Sequence, residues 1–194
     1  MIVPPTDAQT SALLLIEHYV MHAVPVVTLA GPSVQVDASP WGAGAVFCIG
    51  GTPREFAFCS WSEETARRID CPIGSSAGQT FWEYLAILLV LEVWASECRG
   101  VGLPVLGDNL ASLNGLVALR GKSELYRVTC EIAWRRVRYG WRYAAGHLPA
   151  EANELADALS RLGAPGANGK SFPEALRSCS RRHFPDPEKL WVVS

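Results

Sequence analysis

The hydrophobic positions along the chain predict three short strands and then a long helix. Residues 33–37, 43–49 and 54–60 are rich in Val, Phe and small side chains, and Gly and Pro bound each segment. This pattern is typical of consecutive strands that tight turns join into a meander. Over residues 79–97 the apolar side chains recur at intervals of three and four, which is the period of a helix that packs by one face. The positions on this period are Trp82, Leu85, Ala86, Leu89 and Val93.

In the second half of the chain, short strands alternate with helices. The apolar runs 104–107 and 141–145 predict two further strands. Helices are predicted over residues 109–119, 125–138 and 151–162. A meander followed by such an alternation fits an α/β fold with a mixed five-stranded sheet. In this sheet a three-strand antiparallel meander precedes two parallel strands, and helices cover the faces.

The same pattern divides the chain into three parts. Residues 33–162 are expected to form the α/β domain, with residues 1–32 as an N-terminal extension and residues 163–194 as a C-terminal tail. We expect the tail to be irregular or partly disordered, because Pro and Gly recur in it at short intervals. These positions are Pro165, Gly166, Gly169, Pro173, Pro185 and Pro187.

Length and composition indicate a globular protein. The chain has 194 residues, of which 49% are hydrophobic and 19% are charged, and this is enough for one domain with a core. Its most apolar stretch, residues 12–31, is interrupted by Glu17, His18 and His22, so it lacks the uninterrupted length of a membrane span. The first basic residue is Arg54, whereas a secretory signal opens with a charged region. We therefore expect an intracellular protein, cytoplasmic or nuclear, that is not secreted and has no membrane partner.

The cysteines and the charge narrow the possible functions further. Six cysteines are widely spaced and form no C-x-x-C pair, which argues against a zinc site or a disulfide framework. The net charge of −2 lacks the overall basic signature of proteins that bind nucleic acid by charge alone. Arginines do cluster late in the chain, and this cluster is either a local basic face or a solvated helix surface. It consists of Arg127, Arg135, Arg136, Arg138 and Arg142.

Four acidic residues occupy positions that the predicted layout would bring together. Asp37 ends the first strand, and Glu83 lies on the first helix. Asp108 follows the fourth strand, and Asp157 lies on the last helix. Each lies near apolar residues, where an isolated charge costs several kcal/mol and a bound cation would offset that cost. Four convergent carboxylates suit two hard divalent ions such as Mg²⁺, with Mn²⁺ also allowed and zinc disfavoured. Taken singly, Asp108 is instead typical of a helix cap and Asp37 of a turn.

Four segments that contain these acids resemble the ribonuclease H domains of retroelement reverse transcriptases, and they occur in the order of that family. The segments are VDASPWGAGAVF (36–47), GQTFWEYLAILLVLEVW (78–94), LGDN (106–109) and GHLPAEANELADALSRL (146–162). The ending ADALSR with the upstream HLP is most similar to the form in long-terminal-repeat, DIRS-like and pararetrovirus-like elements. The resemblance spans residues 33–162 and implies the ribonuclease H-like fold.

The resemblance implies a role for each matching residue. It makes Asp37, Glu83, Asp108 and Asp157 the metal-binding carboxylates. It makes His147, ten residues before Asp157, a group that assists proton transfer or product release. Taken alone, His147 is more typical of a loop or helix-entry residue.

Four polar residues beside these acids are candidates for contact with the substrate. Gln79 and Thr80 match positions that the family places against the minor groove of the hybrid. Ser39 and Asn109, each near a catalytic acid, are candidates for contacts to sugar or phosphate. Gln79 also suits the simpler role of a residue that starts a helix.

The activity that the resemblance implies is metal-dependent hydrolysis of the RNA strand of an RNA/DNA hybrid. Two ions would activate a water and stabilise the leaving 3′-oxygen, and the 2′-hydroxyls would identify the RNA strand. The implied partners are the hybrid and a polymerase domain of a parent polyprotein, with residues 1–32 as the end of a connection region. Two alternatives remain open: a catalytically silent domain that binds nucleic acid or connects other domains, and a nuclease or transposase on the same fold that acts on DNA.

Overall fold

A computed structural model describes residues 30–68, 70–99, 102–121 and 124–192. The predicted N-terminal extension therefore lies outside the described residues, except for its last three. Among the described residues, no helix has both the length and the apolar character needed to cross a membrane.

The first half of the sheet is the predicted antiparallel meander. Strand β1 (Pro32–Ser39) pairs with β2 (Gly42–Ile49), and β2 pairs with β3 (Thr52–Ser60). The turn between β2 and β3 is formed by Gly50 and Gly51, whose φ angles are 59° and 75°. Positive φ at both central residues is the requirement of the two-residue hairpin turn that follows the twist of the strands.

The second half of the sheet is parallel. Strand β4 (Leu103–Gly107) pairs in parallel with β1, and β5 (Tyr143–His147) pairs in parallel with β4. The segment Ser180–Arg181 forms β6, which pairs in parallel with β3, so the order is β5-β4-β1-β2-β3-β6. The mixed α/β sheet is confirmed, but it has six strands and not the predicted five. The sixth was missed because β6 consists of two exposed residues without apolar alternation.

The six described α-helices include one that the sequence pattern did not predict. They are α1 (Glu63–Arg68), α2 (Gln79–Val93), α3 (Ala95–Arg99), α4 (Leu110–Ala118), α5 (Glu124–Tyr139) and α6 (Glu154–Ser160). The helix predicted over 79–97 is broken at Trp94, where the backbone leaves helical geometry. The helix predicted over 151–162 is divided into a 3₁₀ turn (Ala150–Ala152) and α6.

Helix α2 forms the centre of the main hydrophobic core. Every side chain from Phe81 to Leu91 is buried, so this helix is covered on all sides, whereas the periodicity predicted packing by one face. It contacts β1 on one side and helices α4 and α5 on the other. The apolar environment of α2 therefore surrounds its one buried acid, Glu83.

The opposite face of the sheet is covered by α6 and the C-terminal segment. Along β2, Ala45 and Phe47 belong to the main core, whereas Val46 and Cys48 pack in a second cluster with Leu159 and Leu176. Such alternation is expected because successive side chains of a strand point to opposite faces. A Cβ atom at Gly44 would lie 2.3 Å from the carbonyl oxygen of Ala156, so α6 lies directly on the backbone of β2.

The C-terminal segment, residues 163–192, contains only 3₁₀ turns, β6 and irregular backbone in the part that the structure describes. It is nevertheless packed on the domain, because Leu176 and Leu190 are buried. Leu176 belongs to the cluster under α6, and Leu190 belongs to the main core.

Candidate active site

Three carboxylates meet near the ends of the central parallel strands. One oxygen from each of Asp37, Glu83 and Asp108 lies within 4.8 Å of the others. Asp37 lies near the end of β1, and Asp108 directly follows β4. The parallel register pairs Gln35 with Leu106, so its continuation by two residues places Asp37 beside Asp108. Glu83 joins them because α2 packs across β1.

Two of these acids are almost fully buried. Asp37 is 4% exposed and Glu83 is 5% exposed. In the described part of the chain, neither forms an ion pair with a Lys, Arg or His. The pKa of Asp37 is raised from 3.8 to about 7, mainly by burial. The charges of Asp157 and Asp108 contribute to this rise, whereas the hydrogen bond from Ser160 and the charge of Arg161 oppose it. Burial also raises the pKa of Glu83 well above its usual value, with Asp37 and Asp108 adding to the effect. The site therefore favours the uptake of positive charge, as protons or as a cation.

Neutral hydrogen-bond donors hold these carboxylates in place. The Ser160 hydroxyl donates to Asp37 Oδ2 at 2.6 Å. The Gln79 amide donates to Glu83 Oε1 at 2.9 Å and to the carbonyl oxygen of Ala38 at 2.6 Å. Because these donors carry no charge, they orient the acids without neutralising them. Gln79 is the first residue of α2, and its side chain links this helix to β1.

The fourth predicted ligand, Asp157, lies outside the group of three. Its Oδ1 accepts a hydrogen bond from Arg161 Nε at 2.6 Å, and its Oδ2 is paired with the Lys170 ammonium. Burial acts to raise the pKa of Asp157, but the hydrogen bonds and charges of Arg161 and Lys170 outweigh burial and lower it. Asp157 is still close enough to Asp37 to raise the pKa of that residue. Three of the four predicted carboxylates are thus brought together, and the fourth lies beside them with two basic partners.

The remaining predicted site residues have different settings. His147 ends β5, is half-buried, and pairs in register with Gly107, the residue before Asp108. Thr80 lies half-buried in the first turn of α2. Asn109 caps α4, since its side-chain oxygen accepts a hydrogen bond from the backbone N–H of Ser112 at 3.0 Å.

Ser39, predicted to contact the substrate, is fully buried and joins β1 to α6. Its hydroxyl donates to the carbonyl oxygen of Ser160 at 2.7 Å and accepts from the backbone N–H of Trp41 at 3.2 Å. A second buried link is formed by Asn153, whose amide donates to the carbonyl oxygen of Val36 at 3.0 Å. These two bonds fix the helix that carries Asp157 against the strand that carries Asp37.

Three residues that contact the acids directly, Ser160, Arg161 and Lys170, were not predicted from the sequence. Ser160 and Arg161 lie three and four residues after Asp157, which is the spacing of neighbours on one helix face. This spacing is a signal from which their position beside Asp157 could have been predicted. Lys170 has no such signal, because a loop and not a helix brings it to Asp157.

Comparison with known proteins gives similarity in structure but not in sequence. No family model matches the chain, and no curated protein matches it. The structure of LC11-RNase H1 in complex with an RNA/DNA hybrid is similar over 66% of this chain and 92% of that one, with a TM-score of 0.51 and 17% identity. RNase H1 from the halophilic archaeon Halobacterium salinarum NRC-1 gives a TM-score of 0.49 and 21% identity, over 66% of this chain and 92% of that one. A foamy viral protease-reverse transcriptase gives a TM-score of 0.38 and 14% identity, over 75% of this chain and 26% of that one. The first of these similarities, together with the mixed sheet, shows that the chain has the ribonuclease H-like fold.

Proposed function

We propose that this chain is a metal-dependent endonuclease that hydrolyses the RNA strand of RNA/DNA hybrids. The observation that carries the proposal is the group of buried carboxylates Asp37, Glu83 and Asp108 on a ribonuclease H-like sheet. LC11-RNase H1, which has a similar fold, was crystallised with such a hybrid. Fold alone does not define an activity, so the acids and not the sheet are the main support.

The residues of the site fit Mg²⁺ or Mn²⁺. The three acids supply only oxygen ligands, which hard divalent ions prefer. They are close together and largely buried, and without a cation they repel one another. Asp37, Glu83 and Asp108 would hold a first ion, and Asp157 would join them as a ligand to a second. When bound, such ions activate water and stabilise charge on a phosphodiester.

Other residues of this chain would position the acids and move protons. Ser160 and Gln79 hold Asp37 and Glu83 in fixed orientations, so little reorganisation is needed when an ion binds. The imidazole of His147 would assist proton transfer or product release, a role that suits imidazole near neutral pH.

Contacts to the hybrid are proposed for the polar residues around the acids. Gln79 and Thr80 begin α2 and would face the minor groove, where the 2′-hydroxyls of the RNA strand are displayed. Asn109 would contact sugar or phosphate beside Asp108. Ser39 would act through the position of α6, since its hydroxyl is already bonded to Ser160.

The sequence motifs further support an origin in a retroelement reverse transcriptase. The HLP and ADALSR segments enclose His147 and Asp157, and both residues lie at the end of the sheet where the acids meet. On this proposal a polymerase domain of the parent polyprotein is a natural partner of the chain.

The test is a cleavage assay with three end-labelled substrates: an RNA/DNA hybrid, a DNA duplex and single-stranded RNA. The full chain is incubated with Mg²⁺, Mn²⁺ or EDTA, beside Asp37→Asn and the control Glu63→Gln, an exposed acid on α1. We expect cleavage of the RNA in the hybrid alone, lost with EDTA and in Asp37→Asn but retained in Glu63→Gln. Cleavage of duplex DNA would contradict the substrate, and a folded chain that cuts nothing would favour a silent domain.

A further inference from the structure

We propose that Lys170 serves as an internal cation at Asp157, so that the full chain binds one divalent ion tightly and a second only weakly. The inference rests on the proposed metal site and concerns how many ions that site takes. It assigns to the C-terminal segment a role in the site that its sequence does not indicate.

Both carboxylate oxygens of Asp157 already have cationic partners. Arg161 Nε donates to Oδ1 at 2.6 Å, and the Lys170 ammonium pairs with Oδ2. The Asp157 side chain is 22% exposed, which leaves it within reach of ions from solvent. Asp37 and Glu83, by contrast, accept hydrogen bonds from the neutral side chains of Ser160 and Gln79. In the described part of the chain, Asp157 therefore forms direct ion pairs with basic side chains, whereas the buried pair Asp37 and Glu83 does not.

Lys170 is held at this position by the path of the chain. Its backbone N–H donates to the carbonyl oxygen of Arg161 at 3.3 Å, and a 3₁₀ turn (Gly166–Asn168) closes the loop between them. A Cβ atom at Gly169 would lie 2.6 Å from the carbonyl oxygen of Ala164, and one at Gly163 would lie 2.7 Å from the Ser60 hydroxyl. The backbone contact at Gly169 leaves no room for a side chain there, so the loop follows a tight route to Lys170.

Beyond Lys170 the segment is anchored a second time. The ring of Phe172 packs edge-on against Phe56, with centroids 5.2 Å apart, and Leu176 is fully buried in the cluster under α6. The backbone of Lys170 therefore lies between two anchored points, which keeps its ammonium within reach of Asp157.

An ammonium and a divalent ion compete for the same carboxylate oxygen. A first ion at Asp37, Glu83 and Asp108 meets no such competitor, whereas a second ion at Asp157 must displace Lys170. The Lys170 side chain is 47% exposed, and a partly exposed ion pair is weak, so we expect its removal to tighten binding of the second ion by about fivefold.

The experiment is a Mn²⁺ titration of the full chain, in which electron paramagnetic resonance measures the free ion. The variants are Lys170→Met, Lys170→Arg and the control Lys189→Met, which removes an exposed lysine elsewhere in the same segment. We expect one tight ion in the unmodified chain, Lys170→Arg and Lys189→Met, and a strengthened second ion in Lys170→Met. Adding Asp157→Asn to Lys170→Met should remove that gain, and circular dichroism checks that each variant is folded.

The outcomes separate this inference from the proposed function. Two ions of similar affinity in the unmodified chain, or an unchanged second affinity in Lys170→Met, would overturn the role of Lys170 and leave the metal site intact. A folded chain that binds no Mn²⁺ in any variant would overturn the proposed metal site and this inference with it.

Discussion

Replacing Asp37 with asparagine should stabilise the metal-free protein, although the same change removes a proposed metal ligand. The side chain is 4% exposed, and its pKa is raised from 3.8 to about 7, mainly by burial. Ionised Asp37 is therefore unfavourable in the folded state. Asparagine has a similar shape, carries no charge and retains an oxygen that accepts the hydrogen bond from Ser160.

The size and the pH window of this effect follow from the raised pKa. Below 3.8 the carboxyl is protonated in both states and contributes no difference. Between 3.8 and about 7 the unfolded chain loses the proton while the folded chain retains it, so stability falls as the pH rises. Above about pH 7 the Asp37 carboxyl is ionised in both states, and the loss of stability is complete. For a pKa shift of this size the loss is about 4 kcal/mol. We expect Asp37→Asn to recover between about 1 and 4 kcal/mol at about pH 8, since the buried amide NH2 group of asparagine costs part of the gain where it has no acceptor.

The measurement is the free energy of unfolding by urea in EDTA, followed by tryptophan fluorescence from about pH 4 to about pH 8. The unmodified chain should lose stability across this range relative to Asp37→Asn, and the two curves should converge at the acidic end. Glu63→Gln is the matched control, because Glu63 is exposed and its removal should leave the pH dependence unchanged. A gain in Asp37→Asn that is the same at every pH, or no gain at all, would refute the argument from burial of charge.

Three further effects follow from the same structure. Mn²⁺ should raise the melting temperature more at about pH 8 than at about pH 5, because protons compete for the buried acids; an equal rise at both values in calorimetry would contradict this. Gly44→Ala should lower the free energy of unfolding in urea by about 3 kcal/mol, since its Cβ atom would lie 2.3 Å from the Ala156 carbonyl oxygen. Gly51→Ala is the control: this position is in open space at positive φ, and the change should cost about 1 kcal/mol. Leu176→Ala should cost about 2 to 5 kcal/mol and expose the C-terminal segment to limited proteolysis, while Val137→Ala, at an exposed position, should do neither.

The strands were predictable because their signals are local. Alternating or continuous apolar residues bounded by Gly and Pro define β1 to β5 without knowledge of the rest of the chain. The break at Trp94 was not predicted, because no Gly or Pro stands at that point of the chain to signal the end of a helix. Helix α1 was missed for a related reason: only Thr65 and Ala66 of its six residues are buried, too few to show a period.

The candidate site likewise contains one contact that could be predicted from the sequence and one that could not. The meeting of Asp37 with Asp108 follows from two neighbouring parallel strands that end at one edge, and the predicted layout already placed both acids at strand ends. The contact of Lys170 with Asp157 depends instead on how a loop of irregular backbone returns to the end of α6. No local pattern of residues predicts the path of such a loop. The ion pair between Lys170 and Asp157 could therefore be identified only from the structure.

The proposed function would account for Asp37 and Glu83, two buried acids that neutral side chains could replace in the fold. At Asp37, an asparagine would accept the same hydrogen bond from Ser160 without the burden of a buried charge. At Glu83, inside a helix that is otherwise covered by apolar side chains, a glutamine would still interact with Gln79 and the strand beside it. Ionisable groups at buried positions lower the stability of the folded protein relative to neutral groups of the same shape. Such a loss of stability is usual at active sites, where the ionisable groups are needed for the reaction. Asp37→Asn should therefore separate the two properties in a single protein: greater stability in EDTA, together with loss of the tight Mn²⁺ ion.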